Sequence, residues 1–479
     1  MSSSRLNQLQ QLFYPKSIAV VGASPKPRSR GNEWITAFIQ QGYQGQIFPV
    51  HPNAKHILAY KAYPSIHDIP DDIDLAIFAI PFKAVLPVMK DCVEKGVKFV
   101  HLFTAGYSET GEEDHAEAEK ELIKIAKEGG VRLIGPNCMG VYCPEGGVSW
   151  MGAFPKTPGP VGFVSQSGQL ASQLVMEGGL EGIRYSKVVS FGNASDLQCH
   201  DFLNYLVEDD KTRIIGAYIE GLKDGWAFFD SARNITLKKP MVVWKGGQTE
   251  GGARATQSHT ASIAGSSKIW DAICKQTGII QVHSMEDLIS TTIGLLKSSF
   301  PNGNRVAIVG GAGGGSVTMT DTAEKEGLVV PHLSDETIQR LKEMIPLSGN
   351  SVKNPLDIGF STVYRNEEQF LRLYTLLRDD PNIDALIYSR GIFRRRGSGG
   401  RGDLDFLTQM TLKGIEIFGK PVLVVLESGK TLDWEALRQE AQARYQSAGI
   451  PTFRSFQTAS RVLFNLYQYK KFLDANNPQ

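Results

Sequence analysis

The stretch GPVGFVSQSGQ (159–169) runs from a short apolar segment through a turn of small residues into a segment that can begin a helix. The same order occurs in SIAVVGAS (17–24) and in RVAIVGGAGGGS (305–316). A buried strand, a turn of small residues and a helix form the opening unit of a parallel, doubly wound domain. Three such openings at nearly equal intervals predict an α/β fold of three consecutive doubly wound parallel-sheet domains.

Two Pro/Gly-rich segments set the predicted boundaries between these domains. They are MGAFPKTPGP (151–160) and KSSFPNGN (297–304), and they place the domains at 1–150, 151–300 and 301–479. Further apolar, β-branched runs predict buried parallel strands in each third. These runs are QIFPV (46–50), LAIFAIP (75–81), FVHLFTAG (99–106), RLIGPN (132–137), KVVSFGN (187–193), IIGAYIEG (214–221), PMVVWKGG (240–247), ALIYSRG (385–391) and PVLVVLESG (421–429).

Composition argues against several classes of protein. Lys plus Arg is 51 and Asp plus Glu is 50, which gives no electrostatic footprint for nucleic acid or an acidic membrane surface. The Arg-rich run 393–403 is interpreted as a solvated loop. An apolar run of membrane-spanning length and the apolar core of a signal peptide are both missing from the sequence. Five cysteines without CxxC or zinc spacing fit a reducing compartment, so we predict a cytoplasmic protein without a metal site.

The first Gly-rich turn, GASPKPRSRG (22–31), follows a predicted strand as a nucleotide-binding turn should. It fits neither GxGxxG nor the Walker A pattern. Small residues let the backbone approach a phosphate, and a helix N-terminus favours negative charge. Lys26, Arg28 and Arg30 add cations suited to a diphosphate or a 3′-phosphate. The alternative is a tight turn with solvated basic residues.

The other two turns are also candidate phosphate cradles. In SQSGQ (165–169), Ser165 and Ser167 offer hydroxyls and Gly168 an open backbone, although serines are also ordinary helix N-caps. In GGAGGGS (310–316), five glycines in seven positions indicate close approach of a ligand or, alternatively, a flexible turn. Together with the first turn, they favour phosphoryl transfer over redox chemistry.

The segment WKGGQTEGGARATQSHTASIAG (244–265) has many small residues and little periodic hydrophobicity, so we predict a long, mobile loop. His259 lies within it. An imidazole nitrogen is nucleophilic near neutral pH and can accept a phosphoryl group. Glu220, at the end of a predicted strand, is a candidate to orient the other ring nitrogen. The alternative is an incidental surface histidine.

Over nearly its whole length the chain resembles the α subunit of ADP-forming (NDP-forming) acetyl-CoA synthetases, relatives of succinyl-CoA synthetase. The motifs that carry the resemblance, in order, are SIAVVGAS, IFPVHPNAKHILAYKAYPSI, FAIPF, GPNCMG, GPVGFVSQSGQLASQ, YIEGLKDG, KGGQTEGGARATQSHTASIAG, VGGAGGGSV and NPLDIG. The resemblance implies a CoA-binding Rossmann-like domain followed by two flavodoxin-like ligase domains, the last with a helical tail.

The resemblance also implies a reaction and its residues. Phosphate attacks an acyl-CoA to give an acyl phosphate and free CoA, and His259, held by Glu220, takes the phosphoryl group. The phosphohistidine is expected at the helix N-termini after SQSGQ and GGAGGGS, on Ser165, Ser167, Gly168, Gly313 and Gly314. Coenzyme A is expected at the carboxyl ends of the first-domain strands, on Gly22, Ala23, Ser24, Pro25, Arg28, Pro52, Pro81, Thr104 and Asn137.

An ATP-grasp domain is not visible in the sequence, so the resemblance implies a separate β subunit that binds ADP or ATP with Mg²⁺, in an assembly such as α2β2. Three alternatives to this synthetase stay open. A NAD-dependent dehydrogenase would need GxGxxG, which the first turn lacks. The other two are a regulatory CoA-binding protein that keeps the fold and a ligase that passes its thioester to another acceptor.

Overall fold

The computed structural model describes residues 3–260, 266–311, 313–358, 363, 366–390, 401–427 and 431–476; within these ranges the side chains of 3–7, 257–260, 401–404 and 407 are not described. The chain divides into two compact units, Met1–Ile289 and Ser290–Gln479, and each is described by itself. Parallel sheets flanked by helices in both units confirm the predicted α/β class. The predicted boundaries at 150 and 300 stay predictions.

The first unit contains two main sheets. Its strands are β1 (Ser17–Val21), β2 (Gln46–Val50), β3 (His56–Ile57), β4 (Tyr60–Lys61), β5 (Leu75–Phe78), β6 (Phe99–Leu102), β7 (Arg132–Ile134), β8 (Gly140–Tyr142), β9 (Val161–Ser165), β10 (Tyr185–Ser190), β11 (Ile214–Ile219), β12 (Met241–Lys245) and β13 (Ile280–Val282). Its helices are α1 (Ser3–Phe13), α2 (Arg30–Gln41), α3 (Phe82–Lys95), a 3-10 helix (Ser108–Thr110), α4 (Glu113–Glu128), α5 (Gly168–Leu180), α6 (Cys199–Glu208), α7 (Gly225–Thr236), α8 (Glu250–Thr260), α9 (Ser267–Thr277) and α10 (Met285–Lys297), which runs on past Ile289.

The first sheet has the order β2-β1-β5-β6-β7, and every pair is parallel. All five strands were predicted from their apolar runs, and all are buried because helices cover the sheet. The strand order reverses at β1, since β2 lies on one side of it and β5 on the other. Ligands of doubly wound sheets bind at such a reversal, outside the carboxyl ends of the strands.

The second sheet has the order β13-β12-β11-β9-β10-β8 and reverses at β9. Its strands are parallel except β8, which pairs antiparallel with β10 at one edge. Strand β8 was not predicted from the sequence, and it precedes the predicted linker at 151–160 in the chain. The chain therefore enters the second sheet before that linker.

Helix α1 also ties the start of the chain to the second sheet. Lys187 on β10 is buried and forms a 2.8 Å ion pair with Asp209. Its ammonium lies over the rings of Phe13, Tyr14 and Tyr205. Breaking a buried ion pair of this kind costs about 3–5 kcal/mol, so the pair fixes this corner of the unit.

The second unit is built on one parallel sheet of order β14-β15-β16-β17. Its strands are β14 (Val306–Val309), β15 (Ala385–Arg390), β16 (Val422–Leu426) and β17 (Thr452–Phe453). Its helices are α11 (Gly314–Lys325), α12 (Asp335–Met344), α13 (Glu367–Asp379), α14 (Arg401–Phe418), α15 (Leu432–Ser447) and α16 (Phe456–Asn476). One face of the sheet packs on a core that includes Phe370, Tyr374 and Phe418.

Candidate functional site

The turn between β1 and α2 is fixed by close backbone contacts. Gly22 has φ +96°, and a Cβ there would lie 2.2 Å from the carbonyl oxygen of Ala79. A Cβ at Gly31, in the first turn of α2, would lie 2.5 Å from the amide nitrogen of Ala23. Both positions therefore require glycine for packing, which fits the tight turn given as the alternative above, and phosphate binding here stays a prediction.

Asn32, which sequence analysis did not single out, holds the same turn from inside α2. Its side-chain oxygen accepts a hydrogen bond from the Ser24 amide (3.0 Å), and its nitrogen donates to the carbonyl oxygens of Ser24 (2.8 Å) and Lys26 (3.2 Å). Ser29 caps the helix. An amide directly after the Gly of a Gly-rich turn is the signal that could have identified Asn32.

The predicted CoA residues all lie at one edge of the first sheet, each at or just beyond a strand's carboxyl end. Pro25, Arg28, Pro52 and Pro81 are exposed, Gly22, Ser24 and Asn137 are half-buried, and Ala23 and Thr104 are buried. Ala23 is fully buried, so neither its side chain nor its backbone is accessible in this structure. Thr104 donates to the Ile80 carbonyl (2.6 Å) and Asn137 to the Thr104 carbonyl (3.2 Å), so neighbouring strand ends are joined.

The SQSGQ turn lies at the reversal point of the second sheet, between β9 and α5. The Ser165 hydroxyl donates to the Ser167 carbonyl (2.7 Å), and the Ser167 hydroxyl accepts from the Leu170 amide (3.3 Å) as the N-cap of α5. Both hydroxyls therefore stabilise the turn itself. A Cβ at Gly168 would lie 2.5 Å from the Met139 side chain, which brings the end of the first-sheet region against this helix start.

Glu220 follows β11 and is 6% exposed. Gln166 holds it there, because the Gln166 amide oxygen accepts from the backbone amides of Glu220 (2.8 Å) and Gly221 (3.0 Å). The structure therefore brings together the SQSGQ turn and Glu220, two separate predictions. Gln166 belongs to the quoted motif but was given no role. An amide side chain between two serines, directly after a buried strand, was the available signal.

Tyr218 and Lys245 complete the surroundings of Glu220. Burial, together with the charge and the hydrogen bond of the Glu220 carboxylate, raises the pKa of Tyr218. Lys245 donates to the carbonyl oxygens of Glu220 and Gly246, both at 2.6 Å. Burial lowers the pKa of Lys245, and the charge of Glu220 opposes that shift. The Glu220 carboxylate thus forms a hydrogen bond with the Tyr218 phenol and interacts electrostatically with Lys245.

The segment around His259 is a helix rather than the predicted long loop. Residues 250–260 form α8, which includes helix-favouring Ala and Arg residues. The Thr249 hydroxyl accepts from the Gly252 amide (3.1 Å), as an N-cap does. The loop prediction was wrong for residues 250–260, because small residues and a lack of periodic hydrophobicity do not prevent a helix that packs against neighbouring elements.

Helix α8 packs against two elements of the first unit, the turn after β12 and the 3-10 helix Ser108–Thr110. A Cβ at Gly247 would lie 2.6 Å from the Thr256 hydroxyl, so the helix lies against the turn after β12. It also packs against the 3-10 helix Ser108–Thr110, which follows β6 and Thr104. His259 is near the end of α8, and its side chain, like residues 261–265, is outside the described part of the chain.

The turn after β14 carries the predicted Gly313 and Gly314 in the second unit. Gly313 has φ +52° and precedes α11, and a Cβ at either position would meet nothing within 4 Å. The Gly313 amide donates to the Asp357 carboxylate (3.3 Å). The Gly313 amide, which was predicted to donate to phosphate, therefore already donates to a carboxylate. The joint role of Gly313, Gly314 and His259 stays a prediction, because the two units are described separately.

Among the described residues, three or more His, Cys, Asp or Glu side chains are nowhere gathered as a metal ion would require. Of the helices described, none is both long and apolar enough to cross a membrane.

Comparisons with known proteins cover both units. Residues 16–144 match the family described as CoA binding domain, and residues 158–294 match the family described as Succinyl-CoA ligase like flavodoxin domain. The α subunit of ADP-forming acetate–CoA ligase II from Pyrococcus furiosus is 36% identical over 97% of this chain and 98% of its own length. ADP-forming acetate–CoA ligase II from Archaeoglobus fulgidus is 34% identical over 97% of this chain and 67% of its own length.

Among solved structures, the acetyl-coenzyme A synthetase 1 of Ca. Korarchaeum cryptofilum, described as dinucleotide forming and in complex with phosphate and ADP, superposes with a TM-score of 0.84. It is 32% identical and covers 98% of this chain and 99% of its own. The resemblance inferred from the motifs is thus confirmed over the full length of the chain.

Proposed function

Because the chain belongs to the family of ADP-forming CoA ligases, we propose that it is the α subunit of an NDP-forming acyl-CoA synthetase. The reaction is acyl-CoA + phosphate + ADP = carboxylic acid + CoA + ATP, and it is reversible. On this chain the substrates would be acyl-CoA and phosphate or, in the reverse direction, coenzyme A and a small carboxylic acid.

The position of α8 is the observation that carries this proposal. The helix that contains His259 packs against the 3-10 helix that follows β6, at the edge where the predicted CoA residues lie. In the same unit, Gln166 couples the predicted phosphate turn to Glu220. A nucleophile, its orienting carboxylate and a thioester site in one unit suit the first half of the reaction.

CoA would bind across the carboxyl ends of the first sheet. The turn Gly22–Pro25 leads into the N-terminus of α2, where the helix dipole favours a phosphate. Arg28 is exposed beside it and supplies positive charge. Pro52, Pro81, Thr104 and Asn137 would line the remainder of the site.

The chemistry would proceed in two steps on this chain. A phosphate oxygen attacks the thioester carbonyl, the C–S bond breaks, and CoA leaves as the thiol after protonation. A ring nitrogen of His259 then attacks the phosphorus of the acyl phosphate, and the P–O bond breaks to release the carboxylate. Glu220 would accept the N–H of the other ring nitrogen and stabilise the cationic ring.

The phosphoryl group would next pass to ADP on a partner subunit. The name of the Pyrococcus relative includes the word subunit, and the Archaeoglobus relative is longer than this chain, which covers 67% of it. We propose that the partner is an ATP-grasp β subunit that holds ADP with Mg²⁺, in an assembly such as α2β2. We place the assembly in the cytoplasm.

The test is the intact mass of the purified chain after incubation with phosphate and a panel of acyl-CoAs. We expect one added phosphoryl group, labile in acid, and the productive acyl-CoA identifies the substrate. His259→Ala should reduce phosphorylation below detection while CoA binding, measured by calorimetry, stays within about twofold, since removal of a nucleophile removes the covalent step.

His283→Ala is the matched control, because His283 is an exposed histidine of the same unit. It should be phosphorylated like the unmodified chain. Phosphorylation that survives in His259→Ala would contradict the assignment of the nucleophile. CoA binding without phosphorylation by any acyl-CoA, even with the partner subunit added, would instead favour a regulatory CoA-binding protein.

A further inference from the structure

A polar cluster is buried between the two sheets of the first unit, next to the elements already described. Glu109 belongs to the 3-10 helix Ser108–Thr110, Glu119 to α4, and Asn193 to the loop after β10. Glu119 and Asn193 are both about 4% exposed. None of these residues was predicted as part of a site.

The two glutamates hold the chain segment that follows Thr104. Glu109 accepts hydrogen bonds from the backbone amides of Gly106 (2.6 Å) and Tyr107 (3.1 Å). Glu119 accepts from the backbone amide of Ser108 (3.0 Å). Three successive amides of this turn are therefore fixed by carboxylates, and these charge-assisted bonds are stronger than neutral ones.

Asn193 lets these two carboxylates lie side by side. Its side-chain nitrogen donates to Glu109 (2.6 Å) and to Glu119 (3.2 Å). Its backbone amide donates to the Pro136 carbonyl (3.0 Å), which anchors the loop to the end of the first-sheet region. Lys223 (3.8 Å from Glu119) and the Ser195 hydroxyl also contact Glu119. The amide of Asn193 is thus the donor that contacts both carboxylates and joins the loop after β10 to the turn.

Helix α8 packs against this turn. We propose that Asn193 is a positioning residue: it fixes the turn 106–111 through Glu109 and Glu119, and the turn in turn holds α8 and His259 in place for phosphorylation. The expected effect on phosphorylation rests on the proposed function. The expected effect on the turn 106–111 and on α8 does not depend on it.

The test compares Asn193→Asp with the unmodified chain in two measurements. The substitution keeps the shape of the side chain but replaces the donor with a third carboxylate, which repels the other two. We expect backbone amides of residues 106–111 and 250–260 to exchange with deuterium at least tenfold faster. We expect single-turnover phosphorylation at saturating acyl-CoA and phosphate to slow at least tenfold, with half-saturating concentrations within about threefold.

A second substitution provides the rescue. In Asn193→Asp combined with Glu109→Gln, the amide introduced at 109 can donate to the carboxylate introduced at 193 while its oxygen still accepts from the Gly106 amide. The bond from the Tyr107 amide is lost, so the recovery is partial. Exchange and rate should both recover at least threefold relative to Asn193→Asp alone. Asn204→Asp is the matched control, because Asn204 donates to Ser231 on α7, far along the chain from this turn, and should leave both measurements unchanged.

The outcomes separate the two proposals. Unchanged exchange in α8, whatever the rate, overturns the positioning role. A faster exchange without rescue by Glu109→Gln also overturns it, because the charge arrangement would then be irrelevant. If the unmodified chain is not phosphorylated, the proposed function fails, while the exchange data still decide the role of Asn193. Should Asn193→Asp not fold, Asn193→Ser removes both bonds without adding charge and carries the same exchange expectation.

Discussion

The turns after β1 and after β14 have the same sequence pattern but different reasons for their glycines. In both, the first glycine is forced by the neighbouring strand. A Cβ at Gly22 would lie 2.2 Å from the Ala79 carbonyl oxygen, and one at Gly310 would lie 2.0 Å from that of Ser389. Both also have positive φ, of +96° and +123°. These two glycines reflect the geometry of a parallel sheet.

The turns differ further along. After β1, Gly31 is again forced by backbone contact, and Asn32 ties the turn to its helix. After β14, a Cβ at Gly313, Gly314 or Gly315 would meet nothing within 4 Å. Packing therefore explains both glycines of the β1 turn. In the β14 turn, the three later glycines have free space where a side chain would lie. Glycine content alone does not distinguish a packed turn from an open one, and substitutions can.

The largest expected effect is on folding, at Gly22. Gly22→Ala should destabilise the chain by about 3 kcal/mol, which combines the cost of positive φ with displacement of the β5 end. Gly314→Ala, the matched variant in the open turn, should change the free energy of unfolding by less than about 1 kcal/mol. Chemical denaturation measures both, Gly22→Ala in the unfolding transition of the first unit and Gly314→Ala in that of the second. Equal losses would remove the distinction between the two turns.

The fold was largely predictable because its strands are short, β-branched and buried on both faces. Every run predicted as a strand in the first third of the chain became one, from β1 to β7. The two-residue hairpin β3–β4 and the antiparallel edge strand β8 were not predicted. Neither follows a long apolar pattern. Strands β3 and β4 are only two residues long each and pair with each other, whereas β8 pairs with β10, a partner distant in sequence.

The candidate site was predictable where a turn follows a strand and not where side chains meet across elements. Glu220 and the SQSGQ turn were each singled out from the sequence. The contact between them is made by Gln166 of that turn, which lies far from Glu220 in the chain. The helical conformation of 250–260 was missed because its stability depends on packing against Gly247 and the 3-10 helix. Neither of these two packing contacts of α8 produces a recognisable pattern in the neighbouring sequence.

A smaller effect is expected on chemistry at Gly314. If the space above this turn accepts a phosphoryl group, Gly314→Ala should shorten the lifetime of the phosphoenzyme by about tenfold, or about 1.4 kcal/mol, while stability is kept. The decay of added phosphoryl mass over time measures it. Val317→Ala, an exposed substitution on the same helix, is the control. An unchanged lifetime would mean that the open turn serves another purpose than phosphate binding.

The smallest expected effect concerns Asp357, whose carboxylate accepts the Gly313 amide at 3.3 Å. A carboxylate at the start of α11 occupies a donor and repels a phosphoryl group, so its charge opposes the predicted cradle. Asp357→Asn should therefore lengthen the phosphoenzyme lifetime about threefold, which matches a charge interaction of less than about 1 kcal/mol. Asp335→Asn, at the start of α12, is the control and should leave the lifetime unchanged. A shorter lifetime in Asp357→Asn would show that the acid supports phosphoryl binding by holding the turn, and would make the β14 turn, like the β1 turn, a structure fixed by its own side chains.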